Sequence, residues 1–369
     1  MGTCSARLPG GLGDIVRFVA LGGGGPRGQA IGFLSHRGSR VAYAVVGSGP
    51  VLLLDTGPAH HLEVFWRHAP YRHLVQRLAA RFTVVRWDRP GFGLSDRDVV
   101  DLSPDGELEL VERLVTVLGA DEVALLAAGG AGPGMIRFAA RRPGLVSRLA
   151  LFGTAAAGRE LAPALSAAAL EALAGAPPGA IHGVVAAAAA AGSDPEAGPW
   201  LAAALEASAG VPAMIELVAR TGTDDATADA PRVRAPALVL HRARDRVVEP
   251  RWGRALAAAI PGADFVSIDG GSHLLYSGDP DPLLAALLPF LAGGGEEEAA
   301  PLSRREREVA HLVTLGLTNA EIGRRLAIRR RTVDAHLEHI RAKLGVTSRA
   351  GIAAWAVHDQ LATAAQGGA

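Results

Sequence analysis

The chain is almost without cysteine: Cys4 is the single example among 369 residues. A lone thiol excludes an internal disulfide and any metal site built from several cysteines. Lysine is equally scarce, with Lys343 alone, and beside the weight of Ala, Gly and Arg this reports GC-rich coding, not function. No run of eighteen apolar residues is free of Gly, Pro or charge, so no membrane span is expected. The N-terminus lacks the basic-then-apolar pattern of a secretory leader, which makes a cytoplasmic location the expectation. His60 and His61 are adjacent and have no further ligands at metal spacing, and nothing else in the residues asks for a metal or a cofactor.

What is present is apolar content, 49% of a chain long enough for one large core and a small second domain. Residues 1–30, with GLG and GGGGP, read as a flexible tail. Residues 292–300, Ala-Gly-Gly-Gly-Glu-Glu-Glu-Ala-Ala, read as a solvated linker, because glycines and like charges both disfavour packing. Between them, 31–291 alternates short apolar runs with amphipathic stretches. The strand candidates are Val41 to Val46, Val51 to Asp55, Phe82 to Asp88, Val123 to Ala128, Arg148 to Gly153, Pro236 to Arg242 and Asp264 to Asp269. Helical stretches such as Tyr71 to Ala80, Glu107 to Leu118 and Pro282 to Leu291 separate them. That alternation predicts an α/β fold with a mainly parallel sheet. Residues 154–235 hold no strand signal, only Ala-rich helical sequence broken by APPG and GSDPEAG, and are expected to form a helical cap.

Residues 301–369 differ in kind. Ser303 with Glu306 and Thr318 with Glu321 are Ser/Thr-x-x-Glu patterns in which each side chain satisfies the other residue's orphaned N–H, so two helices begin there. A third carries Val333, Leu337, Ile340 and Leu344 at helical spacing, leaving Asp334, Ala335, Glu338 and Arg341 on the outward face. The segment holds eleven Arg or Lys against six Asp or Glu, in a chain balanced overall at 37 against 37. The basic surplus therefore sits on a small all-α domain, where a phosphate-contacting module needs it.

The runs GLTNAEIGRRL and TVDAHLEHIRAKLGV make this segment resemble the helix-turn-helix domain of LuxR-type transcription regulators. The resemblance implies that the third helix enters the major groove of double-stranded DNA and that a homodimer reads paired half-sites. Thr318, Asn319, Arg329, Arg330, Arg331, Thr332, Asp334, Ala335, Glu338, Arg341 and Lys343 are the DNA-contact candidates, the basic ones toward phosphates. Two positions depart from the pattern. Asp334 and Glu338 stand where relatives carry donors, and a carboxylate accepts only, as from cytosine N4. Arg329 stands where a Ser or Thr caps the helix, a loss of about 0.5–2 kcal/mol, so the helix is expected to firm up on DNA.

The runs GPVLLLDTG, RWDRPGFGLSD, GGAGPGMIRFAARRPGLVSRLALFG, ALVLHRARDRVV and DGGSHLLYSGDPD make residues 31–291 resemble the α/β-hydrolase family. That family implies a Ser in G-x-S-x-G on a strand-to-helix turn, activated by a His that an Asp or Glu orients. Counting back from AARRP, the nucleophile slot falls on Gly129 within Ala127-Ala128-Gly129-Gly130-Ala131, which offers no hydroxyl, thiol or carboxylate. Asp245 matches the family acid and His273 the base. The oxyanion donors would be the N–H of Gly130 and one from the loop Asp55-Thr56-Gly57-Pro58-Ala59. In the favoured register that second donor is Pro58, which has no N–H; a shift of one residue makes it Ala59. No catalysis is expected from such a triad. His273 with Asp245 then serves to brace two loops, to bind a ligand, or to act as a general base without a covalent step. The expected ligand is small and mainly hydrophobic, meeting Gly57, Pro58, Ala59, Gly129, Gly130, His273 and, from the cap, Trp200.

Overall fold

A computed structural model describes residues 28–57, 59–98, 103–161, 179–293, 302–326 and 328–344, with 349, 352, 353 and 356 and the backbone of Val19–Ala20. The chain divides into two compact units, Met1–Leu291 and Ala292–Ala369.

The first unit is built on a sheet of nine strands among the described residues. They are β1 (Val19–Ala20), β2 (Ala30–His36), β3 (Ser39–Val46), β4 (Val51–Asp55), β5 (Thr83–Trp87), β6 (Val123–Ala128), β7 (Val146–Phe152), β8 (Ala237–Arg242) and β9 (Asp264–Ile268). Their spatial order is β1-β2-β3-β5-β4-β6-β7-β8-β9. The first three strands join antiparallel, and β5 onward is parallel. The sheet is thus mainly parallel, with an antiparallel flank that the apolar runs alone do not announce. The β2–β3 hairpin escapes sequence reasoning because its turn is Arg37-Gly38, with φ 48° and 83°. Two-residue hairpins want positive φ at both centres and favour Asn-Gly or Asp-Gly, so an arginine there gives no warning. β1 corrects the reading of 1–30 as a tail throughout. Val19 and Ala20 pair with Ile31 and Ala30, completing backbone hydrogen bonds at the sheet edge.

Alternate strand residues feed opposite faces, since successive side chains point to opposite sides. Leu52, Leu54 and Leu126 pack with Leu74 and Leu78 of α2 (Ala69–Ala79) and Leu283 and Leu287 of α9 (Asp281–Leu291). Leu53, Val85, Leu125 and Val239 pack with Leu114 of α3 (Pro104–Leu118), Phe138 of α4 (Gly132–Arg141) and Leu256 of α8 (Pro250–Ala259). Leu53 is wholly inaccessible, so its truncation to Ala costs about 2–5 kcal/mol. Local chemistry sets the helix limits. Ser103 caps α3 by accepting from the Gly106 N–H, Pro104 opens it, and Gly119 ends it at φ 62°.

The register Asp55↔Ala127 places the ends of the adjacent strands β4 and β6 side by side. Loops leaving the carboxyl ends of neighbouring parallel strands form the crevice where such sheets bind ligands. Over this edge lie the cap helices α5 (Ala180–Ala189), α6 (Ala197–Ser208) and α7 (Val211–Thr223). The far end of α7 is anchored by a buried ion pair, Arg137 Nη2 to Asp224 Oδ1 at 2.6 Å.

The second unit holds α10 (Arg304–Thr314), α11 (Asn319–Leu326) and α12 (Arg330–Leu344). Ser303 and Glu306 form the reciprocal cap at the start of α10. Thr318 and Glu321 exchange bonds likewise: the Thr318 N–H donates to Oε2 at 2.7 Å and the Glu321 N–H to Oγ1 at 3.4 Å. Val309, Ile322, Val333, Leu337 and Ile340 close the small core. The turn between α11 and α12 is tight, since a Cβ on Gly323 would stand 2.8 Å from the Ile328 carbonyl oxygen.

Candidate functional site

The loop after β6 turns at Gly129, where φ is 53°, and leads through one tight turn into α4. A left-handed residue between a strand and a helix is what glycine adopts without strain. The buried Thr154 hydroxyl donates to the Gly129 carbonyl at 2.7 Å and holds the turn in place. A Cβ on Gly129 would meet His273 alone: Nε2 at 2.9 Å, Cε1 at 3.6 Å and Cδ2 at 4.0 Å. Imidazole and turn therefore face each other directly.

Behind the ring, His273 Nδ1–H donates to Asp245 Oδ2 at 2.9 Å. The carboxylate also accepts the N–H groups of Val247 and Val248 at 2.8 and 3.2 Å. Burial opposes ionisation of Asp245, yet the nearby His241 N–H dipole and the hydrogen bonds from His273 and the Val247 N–H outweigh it and hold the carboxyl far below the usual carboxylate range. In the neutral ring the proton then sits on Nδ1, and Nε2, the ring atom nearest Gly129, carries the lone pair. No sequence pattern marks His241. Entirely buried, it lies 3.5 Å from Asp245 Oδ2 through Nε2, whose N–H donates to the Val248 carbonyl at 2.7 Å. It braces the acid loop.

Above this floor is a cavity of about 530 Å³. That volume is within the range of about 300–1,000 Å³ of small-molecule sites. Gly57, Ala59, Gly129, Gly130 and His273 line it, as does Thr56. Pro58 lies outside the described residues. The apolar wall comes from distant parts of the chain, including Phe65, Leu205, Met214, Leu217 and Tyr276. No local pattern singles these out, because each is indistinguishable in sequence from an ordinary core residue. Arg159 stands at the cavity and is held by Asp225 Oδ2 at 2.7 Å.

Trp200 requires a correction: it does not line the cavity. Its indole stacks on His68 with centroids 3.7 Å apart and meets Phe65 and Tyr276 edge-on. A large ring on an otherwise Ala-rich helix finds more contact area among aromatics than against a hollow. His60 has a structural task beside the same cluster. Tyr71 O–H donates to Nε2 at 2.9 Å, and Nδ1–H donates to Asp88 at 2.9 Å. Burial keeps its pKa below the ordinary histidine value despite the Asp88 carboxylate. Asp88 also accepts the Leu62 and Leu94 N–H groups, and Asp96 accepts the Arg40 N–H, so both shape turns. Among the described residues there is no cluster of His, Cys, Asp or Glu suited to a metal ion, and no single helix is long and apolar enough to cross a membrane.

On the second unit, Arg329, Arg330, Arg331 and Thr332 are exposed at the start of α12, with Ala335 and Glu338 exposed further along it. The Arg329 carbonyl accepts the Thr332 and Val333 N–H groups, so Arg329 occupies the capping position. Thr318 is exposed at the start of α11. Asp334 is only half free: Asn319 Nδ2–H donates to its Oδ1 at 2.7 Å, and Arg349 donates to Asn319 Oδ1 at 2.7 Å. That engagement, between residues fifteen apart, is invisible in a helical-wheel reading. Arg341 bonds back to the Leu337 carbonyl. Lys343 lies on α12, its side chain outside the described residues.

Residues 66–281, more than half of the chain, match the family described as serine aminopeptidase, S33. The chain belongs to that family. Residues 300–356 match the bacterial regulatory proteins of the luxR family, and the second unit carries a helix-turn-helix DNA-binding domain of that kind. This hydrolase-fold, luxR-type chain is similar to the transcriptional regulatory protein MctR of Rhizobium johnstonii, 32% identical over 91 residues, 25% of this chain and 39% of that one. It is also similar to the nitrate/nitrite response regulator NarL of Escherichia coli K12, 38% identical over 79 residues, 21% of this chain and 36% of that one. The chain thus spans about two fifths of the length of these curated relatives. A hydrolase from Pseudomonas aeruginosa PA01 superposes with a TM-score of 0.60 at 24% identity, over 71% of this chain and 98% of that one, which shows the fold.

Proposed function

We propose that the chain is a DNA-binding transcription regulator whose hydrolase-fold unit senses a small, mainly apolar molecule and performs no covalent catalysis. One observation carries the reading: the residue facing His273 Nε2 from the strand-to-helix turn is Gly129, which has no atom to attack with. A hydrolase-type cavity survives around that turn, and glycine releases it from the strain of about 1–3 kcal/mol that an ordinary residue there stores. A ligand biases the DNA-binding unit only by as much as it prefers one arrangement of the chain over another. Partners under this reading are operator DNA, the ligand and a second copy of the chain, since luxR-type domains read paired half-sites as dimers. The test measures affinity for operator fragments, selected from genomic DNA with the purified full chain, with and without compounds that raise its melting temperature. Unchanged affinity and oligomeric state across all such compounds would reduce the protein to a constitutive regulator.

A second reading is favoured by the intact Asp245–His273 pair, whose lone pair opens into the cavity. Imidazole in that state removes a proton without a serine. Turnover of an ester, lactone or oxidisable substrate that disappears in His273→Ala would establish it in place of the sensor.

A further inference from the structure

The polar atoms at the cavity floor have a restricted vocabulary. His273 Nδ1–H is committed to Asp245 at 2.9 Å, so in the neutral ring Nε2 accepts and does not donate. Gly130 lines the same cavity on the first turn after β6, where a backbone N–H has no acceptor within the helix, so it donates and does not accept. The space that a side chain at 129 would fill adjoins both, and beyond the adjacent turn residues its nearest neighbour is the imidazole, with Nε2 2.9 Å from where a Cβ would stand. One atom that both donates and accepts completes both groups. That is the oxygen of a hydroxyl.

We propose that the ligand is an apolar alcohol whose hydroxyl occupies the place of the missing serine side chain, donating to His273 Nε2 and accepting from the Gly130 N–H. This deepens the sensor reading and rests on it. A ketone, ester or ether oxygen only accepts and would leave Nε2 facing a lone pair. A carboxylate does the same and adds a second anion across the ring from Asp245. The cation among the lining residues, Arg159, is already held by Asp225 at 2.7 Å. The remainder of the ligand is mainly hydrocarbon, because Phe65, Leu205, Met214, Leu217 and Leu274 make up most of the wall around the few polar groups of Thr221, Thr223 and the paired Arg159.

The test titrates the purified full chain with decanol, methyl decyl ether and decanoate, reading affinity by calorimetry. Decanol is expected to bind at least about tenfold more tightly than the other two, the value of one buried hydrogen bond that must otherwise go unmade. The preference should fall to near unity in His273→Ala. It should fall likewise in Gly129→Ala, whose methyl group would stand 2.9 Å from Nε2. If Gly129→Ala fails to fold, His273→Ala and the three probes on wild type still decide. Equal binding of alcohol and ether, or tighter binding of decanoate, overturns the hydroxyl assignment while leaving an apolar sensor standing. Alcohol preference with no effect on operator affinity supports the assignment and sinks the sensor. Binding of no probe overturns the assignment, whereas the sensor reading stands or falls on operator affinity.

Discussion

Replacing Gly129 by serine puts the geometry of the floor to its most direct test. The new Cβ would sit 2.9 Å from His273 Nε2, closer than carbon and nitrogen tolerate, with Cε1 at 3.6 Å. The ring must withdraw by a few tenths of an ångström, which loosens the 2.9 Å bond from Nδ1 to Asp245. The backbone stays at φ 53°, where an L residue costs about 1–2 kcal/mol. In a unit of this size, that loss lowers the melting temperature by about 2–8 °C. Once the ring has moved, the serine hydroxyl lies within hydrogen-bond reach of Nε2 and becomes a nucleophile with a base beside it. A fluorophosphonate should therefore label Gly129→Ser at residue 129, and labelling should vanish when His273→Ala is added. Wild type should remain unlabelled there. Mass spectrometry of the tryptic peptides reads the adduct directly. A folded Gly129→Ser protein that resists the reagent would refute the placement of residue 129 opposite the imidazole.

Other outcomes follow from the remaining geometry. Substituting Arg330 or Arg331 by Ala should weaken operator and non-operator DNA alike and reduce the slope of log affinity against log salt by about 0.9 per lost phosphate contact, as measured by fluorescence anisotropy. Ser303→Ala removes the reciprocal cap with Glu306 and should destabilise the helix-turn-helix unit by about 1 kcal/mol in urea titration; Ser303→Asp should restore most of it. Acidification should lower the melting temperature in two stages. His60, His61 and His68 all have folded pKa values below the ordinary one, chiefly through burial. The unfolded chain thus takes up protons first, and stability declines as pH drops below about 6.5. Asp245, depressed in the fold, adds stability that is complete above about pH 4 and is lost as pH falls through its lower folded value. Asp245→Asn should flatten that second stage; an unchanged profile would remove the carboxylate from the account.

Much of this architecture was legible because its causes are local. The seven apolar runs named from sequence are strands β3 to β9 with ends shifted by no more than two residues, since most of these strands are buried on both faces and so read as apolar runs, the edge strand β9 excepted. The glycine at 129 is placed by register alone, counting from the helix that follows it. The hairpin at Arg37-Gly38 and the two-residue edge strand were missed because one lacks the favoured turn residues and the other is too short to show a period.

By itself, the sequence determined the order of strands β3 to β9 and the helices between them, the caps at Ser303 and Thr318, and the lack of a reactive atom at 129, each set by residues within a few positions of one another, together with the basic surplus of the last domain, which is composition alone. Only tertiary structure decided that His273 faces that glycine, that His241 braces Asp245, that Asn319 takes up Asp334, and that Trp200 leaves the cavity for His68. Such pairings join residues far apart in the chain, and which of many chemically adequate partners meet depends on how the packed layers bring them together.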